Sequence, residues 1–200
     1  VSKQAGIPYL LDACQSVGHM PINVQEIGCD MLSTTGRKYL RGPRGTGILW
    51  VRHGLIKSLE PPFLDLHAAE WAGVESYLIR PDARRFENWE SYVAGRAGLT
   101  AAIDYALLWD VEVCYARIQR LAENLRSTLS GLRGVTVHDL GAEKCGIVTF
   151  TKDGVEPYTI FERLTAQNIN IETSSLASTR LDMTARSLEI ISRASVHYYN

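Results

Sequence analysis

The stretch Asp30-Met-Leu-Ser-Thr-Thr35-Gly-Arg37-Lys38-Tyr-Leu-Arg-Gly-Pro-Arg44-Gly-Thr-Gly47 decides the fold of this chain. It begins as a short apolar strand and changes abruptly into glycine-rich sequence that regular structure does not accommodate. An earlier segment, Pro8-Tyr-Leu-Leu-Asp12-Ala-Cys-Gln15, changes in the same way. Strands of this kind deliver side chains to the open end of a sheet. The sequence therefore predicts that Asp12 and Lys38 meet at one edge of an α/β sheet.

The composition excludes several classes of function. The chain has 200 residues, of which 46% are hydrophobic and 22% charged, and its net charge is -1. This balance is typical of globular proteins and offers no electrostatic case for binding nucleic acid or an anionic membrane. No apolar stretch approaches the length of a membrane span. The four cysteines form no CxxC pair and no metal-ligand pattern, so we expect reduced thiols, no metal site and a cytoplasmic protein.

The pattern of apolar residues predicts an α/β part followed by a smaller α+β part. The predicted elements are strands over 8–13, 29–34, 45–51, 135–140, 146–151, 169–172 and 192–199, and helices over 94–132, with a break near Trp109, and 157–167. Residues 52–85 are expected to be rich in loops. Helical spacing places Ile118, Leu121 and Leu125 on one face and Arg126 on the opposite, exposed face.

The predicted domain boundary lies near Tyr105. Residues 1–105 are expected to form the end of a parallel-type sheet of a large domain, and residues 106–200 a small α+β domain that is incomplete at its end. The first eight residues are typical of a helix that turns through glycine and proline into a strand. We therefore expect this chain to be the C-terminal part of a longer protein.

A carboxylate and a lysine at one sheet edge are what a pyridoxal phosphate (PLP) site needs. The lysine amine carries the cofactor as a Schiff base, and the carboxylate keeps the pyridine nitrogen protonated. The Gln15 amide can donate to the phenolate oxygen of the cofactor. The Thr35 hydroxyl, the Arg37 guanidinium and nearby backbone amides can hold its phosphate. Arg193 can bind a substrate carboxylate through two parallel hydrogen bonds.

Taken singly, each of these residues has a commoner structural role. A loop aspartate such as Asp12 usually caps a turn, and Lys38 and Arg193 are of types that are usually exposed to solvent. The five histidines form no metal pattern, and we expect structural or surface roles for all of them, with His19 alone near the proposed site. Cys14 is expected to point away from the site, because side chains alternate along a strand.

Together, these segments resemble the class V aminotransferase family of PLP-dependent enzymes with fold type I, which includes cysteine desulfurases and isopenicillin N epimerase-like enzymes. The family's motifs appear in order as Asp12 with Gln15, Thr35–Lys38, Gly42–Gly47, Arg84–Glu87 and Ser192–Ser195. The resemblance implies the PLP-dependent transferase fold, with residues 1–105 as the C-terminal part of the large PLP-binding domain. It also implies a homodimer with sites at the subunit interface.

The resemblance implies a role for each candidate residue. Lys38 is implied as the Schiff-base lysine and Asp12 as the partner of the ring nitrogen, both of them catalytic. The cofactor-binding set is Asp12, Gln15, Thr35, Arg37 and Lys38, and the residue implied to bind the substrate carboxylate is Arg193.

Three departures from the family pattern bear on the reaction. Residues 172–192 contain no cysteine, whereas cysteine desulfurases carry a persulfide-forming cysteine on a loop in this region. Arg37 stands where desulfurases have a histidine, and arginine does not titrate usefully. Residues 88–91 replace a Gly-Thr pair that reaches the phosphate of the neighbouring subunit.

These observations predict a PLP-dependent enzyme that acts at the α-carbon of an amino-acid substrate, of transaminase or C–S lyase type. An amino-acid epimerase or a cysteine desulfurase-like enzyme is the alternative among enzymes, because all these reactions begin with the same chemistry at the α-carbon. A non-catalytic binding protein that retains the fold is the alternative of another class.

Overall fold

A computed structural model describes residues 1–200, which form two compact units, Val1–Val111 and Glu112–Asn200. The elements of the first unit are α1 (Ser2–Ala5), β1 (Leu10–Asp12), α2 (Val24–Ile27), β2 (Met31–Thr35), β3 (Gly47–Val51), α3 (His53–Ile56), β4 (Ala69–Gly73), β5 (Ser76–Ile79), a 3-10 helix (Ala83–Phe86) and α4 (Val93–Leu108). The second unit begins within α5 (Val111–Ser130) and continues with β6 (Val135–Val137), β7 (Ile147–Lys152), α6 (Pro157–Thr165), β8 (Glu172–Ser175), α7 (Arg180–Ala185) and β9 (Ile190–Ser195).

A three-stranded sheet with the order β1–β2–β3 positions the candidate site in the first unit. β1 and β2 run parallel, with Asp12 opposite Ser33, whereas β3 runs antiparallel to β2, with Thr35 opposite Gly47. Ala13, Cys29 and Leu32 form the buried core on this sheet. The three strands predicted from the sequence are confirmed, and the sheet is mixed because a turn returns the chain beside β2.

Two glycines allow the close approach of β2 and β3. The Gly36 amide donates to the Thr46 carbonyl oxygen at 2.9 Å. A Cβ atom on Gly47 would lie 2.5 Å from the carbonyl oxygen of Thr34, which is closer than real Cβ contacts. The turn that carries Lys38 therefore requires glycine, which has no side chain, at both of its ends, Gly36 and Gly47.

We expect Gly47→Ala to lower the free energy of unfolding by about 1–3 kcal/mol, because the backbone of β2 or β3 must shift to admit the methyl group. Gly54→Ala is the matched control, since an added Cβ there meets nothing within 4 Å. Denaturant unfolding of the two variants measures the difference. Equal stability of Gly47→Ala and the unaltered protein would contradict this account of the turn.

Residues 52–85 contain more regular structure than the sequence predicted. β4 and β5 form an antiparallel hairpin, with an irregularity between Trp71 and Gly73. Most side chains of both strands are exposed, including Trp71 and Tyr77. Because neither strand has one buried face, the sequence shows no alternation of apolar and polar residues here. The prediction of loops therefore followed Pro61, Pro62 and Pro81.

The second unit is built on an antiparallel sheet with the order β6–β7–β9–β8. Helix α5 covers this sheet, and Ala122 packs there with Val148 and Val196 in a buried cluster. The predicted break in the long helical block is confirmed, because α4 ends at Leu108 and Asp110 adopts a positive φ of 62°.

Two predicted strands of this unit were displaced. The strand expected over 169–172 begins only at Glu172, because the Ile169 amide still bonds the Leu164 carbonyl of α6 at 2.9 Å. The strand expected over 192–199 spans Ile190–Ser195, and the chain then turns, with the His197 amide donating to Oδ1 of Asn200 at 2.7 Å.

The expected exposure of Arg126 was wrong. Its side chain is buried on α5, where Nε donates to Oδ2 of Asp139 at 2.7 Å. The other carboxylate oxygen of Asp139 accepts from the amide and the hydroxyl of Thr149, at 2.8 and 2.7 Å. Periodicity alone could not reveal this ion pair, because the carboxylate comes from the loop that follows β6.

We expect Arg126→Met to lower the free energy of unfolding by about 3–5 kcal/mol, because it leaves the Asp139 carboxylate buried without its cation. Arg120→Met on the exposed side of α5 is the control and should change stability by less than about 0.5 kcal/mol. Urea unfolding measures both variants. Similar losses in the two would show that the buried pair has no special weight.

Candidate functional site

Asp12 ends β1 with an exposed carboxylate that its own turn holds in place. Its Oδ1 accepts a hydrogen bond from the Cys14 amide at 3.0 Å. The neighbouring Cys14 thiol and this amide, the thiol first, lower the pKa of Asp12, and the positive charge of Lys38 adds to the effect. The carboxylate therefore stays ionised, as a partner of a protonated ring nitrogen must.

The position of Cys14 differs from the prediction. The thiol was expected to point away from Asp12, but β1 ends at Asp12, so strand alternation does not extend to Cys14. The hydrogen bond to Asp12, followed by burial, raises the pKa of the thiol. The sequence contained no signal for this contact, since it depends on the turn that follows the strand.

Lys38 lies in the tight turn after β2. Its carbonyl oxygen accepts from the Arg41 amide at 2.8 Å, and the Gly36 carbonyl accepts from the Gly42 amide at 2.7 Å. The next residues, Tyr39 and Leu40, are buried. The turn is thus closed by its backbone and anchored by two apolar side chains, and it brings the Lys38 amine close enough to Asp12 for their charges to interact.

The other candidate residues of the first unit lie within three residues of Asp12 or Lys38 in the sequence. Gln15 is half-buried in the turn after β1, and its carbonyl oxygen bonds Nδ1 of His19 at 3.0 Å. Thr35 ends β2, and its hydroxyl donates to the Thr46 carbonyl at 3.4 Å. Arg37 is exposed between Gly36 and Lys38. A hydroxyl, a guanidinium and turn amides at the end of β2 are groups suited to a phosphate.

His19 is a buried residue that contacts both turns of the candidate site. It is 1% exposed, and its ring stacks on Tyr39 with centroids 3.9 Å apart and an interplanar angle of 15°. Burial lowers the pKa of His19, so the imidazole is neutral and Nδ1 donates to the Gln15 carbonyl. The ring joins the turn after β1 to the turn that carries Lys38, a structural role that agrees with the expectation for this histidine.

We expect the free energy of unfolding to decrease as the pH falls from 7.5 to 5. The unfolded chain takes up a proton near pH 6.5, whereas the folded chain resists protonation of His19 until lower pH, so acid favours unfolding. His19→Gln removes the contribution of His19 and should reduce the slope of the profile, leaving the contribution of His138, whose pKa is also lowered by burial. His53→Gln, at an exposed position, should leave the slope unchanged. Parallel profiles for all three proteins would contradict the assignment.

Arg193 belongs to the second unit. It lies on β9 between Thr149 of β7 and Glu172 of β8. The side chain is half-buried, and none of the ion pairs of the structure uses its guanidinium. A half-buried guanidinium without a carboxylate partner suits an anionic ligand.

The Arg84–Glu87 motif makes structural contacts: Arg84 pairs with Asp82 at 2.7 Å, Glu87 with His67 at 3.2 Å, and Arg85 lies on the 3-10 helix. Arg85 is buried and donates to the Ile56 carbonyl oxygen at 2.9 Å, which is a structural role. No three histidine, cysteine or carboxylate side chains lie close enough together to hold a metal ion. None of the helices combines the length and apolar character needed to cross a membrane.

The residues at the ends of β1 and β2 fit PLP. The ionised Asp12 carboxylate matches a protonated ring nitrogen, and Lys38 supplies a primary amine beside it. Thr35, Arg37 and the turn amides would hold the phosphate, and Gln15 would reach the phenolate oxygen.

Comparison with known proteins places the chain in a family. The family model for class V aminotransferases matches residues 1–200. A probable cysteine desulfurase of Halalkalibacterium halodurans is 30% identical over 100% of this chain and 48% of its own length. The chain spans about half the length of the curated relatives it matches.

Solved structures share the fold. The apo cysteine desulfurase of Thermococcus onnurineus is 26% identical, with a TM-score of 0.91 over 100% of this chain and 50% of that one. A C-DES variant with glycine covalently linked to PLP is also 26% identical, with a TM-score of 0.76 over 92% of this chain and 46% of that one. This chain belongs to the class V aminotransferase family, whose members are PLP-dependent proteins of fold type I.

Proposed function

We propose that this chain is part of a PLP-dependent enzyme that acts at the α-carbon of an amino-acid substrate, of transaminase or C–S lyase type. The observation that carries the proposal is the parallel register of β1 and β2, which ends with Asp12 opposite Ser33 and is followed directly by the turn that holds Lys38. The lowered pKa of Asp12, to which the Lys38 charge contributes, agrees with this arrangement. The amine is suited to attach the cofactor as a Schiff base, and the carboxylate is suited to keep its ring nitrogen protonated.

Each residue would contribute one physical task. Bound PLP supplies the electron sink that makes loss of an α-proton feasible. Lys38 would hold the cofactor covalently and, once exchanged for the substrate amine, would take and return the proton at the α-carbon. Asp12 would keep the ring nitrogen protonated. Arg193 would orient the substrate through its carboxylate, and Thr35 and Arg37 would fix the phosphate.

The cysteines favour a lyase or transaminase over a desulfurase that passes sulfur through a protein persulfide. The segment from β8 through α7, where desulfurases carry that residue, contains no cysteine. Cys29 and Cys114 are buried, and the neighbouring Asp12 carboxylate raises the pKa of the Cys14 thiol. The relatives named cysteine desulfurases keep cysteine itself as a candidate substrate, so C–S cleavage without a protein-bound intermediate is the form of the reaction that we favour.

By the same family resemblance, we propose a homodimer in the cytoplasm with a small-molecule amino-acid substrate as ligand. The two compact units support the proposal that residues near the end of α4 separate the PLP-binding part from a small domain. An epimerase would differ only in where the α-proton returns, and therefore shares every residue of the site.

We expect Lys38→Ala to abolish the visible absorption band of the PLP-loaded protein and its turnover, while far-ultraviolet circular dichroism stays unchanged. The reason is that Lys38 is the amine proposed to attach the cofactor, and an alanine side chain cannot form a Schiff base. Borohydride reduction and peptide mapping of the unaltered full chain should locate the pyridoxyl label on Lys38. Lys57→Ala, at an exposed lysine, is the control and should keep both band and label.

A label on another lysine would overturn the assignment of Lys38. Absence of any band with added PLP would favour the non-catalytic alternative. With the label in place, product analysis separates the reaction types. Transamination gives a keto acid while the amino group passes to an acceptor keto acid, C–S cleavage by elimination gives a keto acid with ammonia and sulfide, and epimerisation gives only the other enantiomer of the amino acid.

A further inference from the structure

We propose that Glu172 is a specificity-determining residue beside Arg193, and that it selects amino-acid substrates whose side chain carries a positive charge. Arg193 is the residue that the proposed function assigns to the substrate carboxylate, so the inference rests on that function. Both residues belong to the sheet of the second unit, Arg193 on β9 and Glu172 at the start of β8.

The register of the sheet places Glu172 directly opposite Arg193. Arg193 pairs with Glu172 of β8 on one side and with Thr149 of β7 on the other. Residues directly opposite in antiparallel strands share one face, with Cβ atoms about 5 Å apart. Thr149 is uncharged, and its hydroxyl already donates to Oδ1 of Asp139 at 2.7 Å. Glu172 is therefore the only charged residue that pairs in register with Arg193.

The two side chains lie on the face of the sheet that α5 leaves uncovered. Val148 and Ala194 pair in register, and both pack with apolar residues of α5 on the covered face. Because side chains alternate along a strand, Arg193 and Glu172 lie on the opposite face. Arg193 is half-buried there and Glu172 is exposed. Within this unit, one ligand can approach both groups from the same side.

The two opposite charges do not neutralise each other. An ion pair across the strands would be the ordinary role of such residues, yet no nitrogen of Arg193 lies within 4.0 Å of a carboxylate oxygen of Glu172. The six ion pairs of the structure use neither side chain. The guanidinium and the carboxylate are thus both available to a ligand, as separate groups for an anion and a cation.

This arrangement distinguishes ligands by their second charge. A ligand whose carboxylate binds Arg193 brings its remaining groups close to Glu172, where a cation is attracted and a further anion is repelled. In the proposed reaction the α-amine of the substrate takes the place of Lys38 on the cofactor. The cation that Glu172 attracts must therefore belong to the substrate side chain.

The first test needs no cofactor. In the PLP-free full chain, phenylglyoxal modifies arginine side chains, and peptide mapping follows its reaction with Arg193. Two protecting ligands of equal length are compared: ω-aminohexanoate, and heptanoate, which has a methyl group in place of the amine. We expect Glu172→Gln to change the ratio of their protecting concentrations by about two- to five-fold in favour of heptanoate, the size expected for one partly exposed charge pair.

Glu189→Gln is the matched control for this assay. Glu189 is exposed and precedes Arg193 by four residues, roughly 13 Å of extended backbone, so the same substitution there should leave the ratio unchanged. The proposal is overturned if Glu172→Gln also leaves the ratio unchanged, or if neither ligand protects Arg193.

The second test uses the PLP-loaded full chain and three S-substituted cysteines of similar length. S-aminoethyl-L-cysteine is cationic in its side chain, S-propyl-L-cysteine is neutral and S-carboxymethyl-L-cysteine is anionic. Titration of the bound-cofactor band gives the affinity for each. We expect Glu172→Gln to lower the affinity for the cationic compound relative to the neutral one by about two- to five-fold and to raise that for the anionic compound, with smaller differences in high salt. An equal change for all three compounds would show that Glu172 only competes for Arg193, and would refute the proposal.

The two proposals fail in different ways. If PLP does not attach to Lys38, the proposed function is wrong, but the protection of Arg193 still reports whether Glu172 attracts a cation beside a bound carboxylate. If PLP attaches normally and the affinity ratios do not depend on Glu172, the function stands and the role of Glu172 falls.

Discussion

The parallel pairing of β1 with β2 is the constraint on which the candidate site depends. The carboxyl ends of two parallel strands lie at the same edge of a sheet, so the residues that follow the two strands lie close together. The register places Asp12 opposite Ser33 and leaves Lys38 in the turn just beyond. A slip by one residue would send the carboxylate to the other face and separate the two charges.

The turn after β2 converts this pairing into a defined position for an amine. Gly36 and Gly47 let the backbone double back on β2, and buried Tyr39 and Leu40 fix the turn to the body of the unit. The stacked ring of His19 then joins this turn to the one that follows Asp12. The polar residues of the site can therefore remain exposed, because their neighbours supply the rigidity.

Local patterns were sufficient to predict β1, β2, β3 and the break between α4 and α5. Each of these rests on an apolar run or a breaker within a few residues. The features that were missed depend on partners distant in the sequence or on turn geometry. Arg126 is buried because the Asp139 carboxylate pairs with it from the loop that follows β6. Strand alternation does not apply to Cys14, because β1 ends at Asp12. The β4–β5 hairpin carries no burial pattern to detect.

The place of Cys14 also bears on how sulfur could be handled by this protein. A thiol serves as a nucleophile only as thiolate, and the neighbouring carboxylate raises the pKa of Cys14 and so suppresses that form. Cys14, which follows the proposed cofactor-binding residue Asp12 by two positions, is thus unsuited to accept sulfur. With no cysteine between residues 172 and 192, the chain offers no obvious acceptor on the segment where desulfurases have one. Sulfur released from a substrate would then leave as a small-molecule product and not as a persulfide on a protein cysteine. This outcome distinguishes a C–S lyase from a persulfide-forming desulfurase.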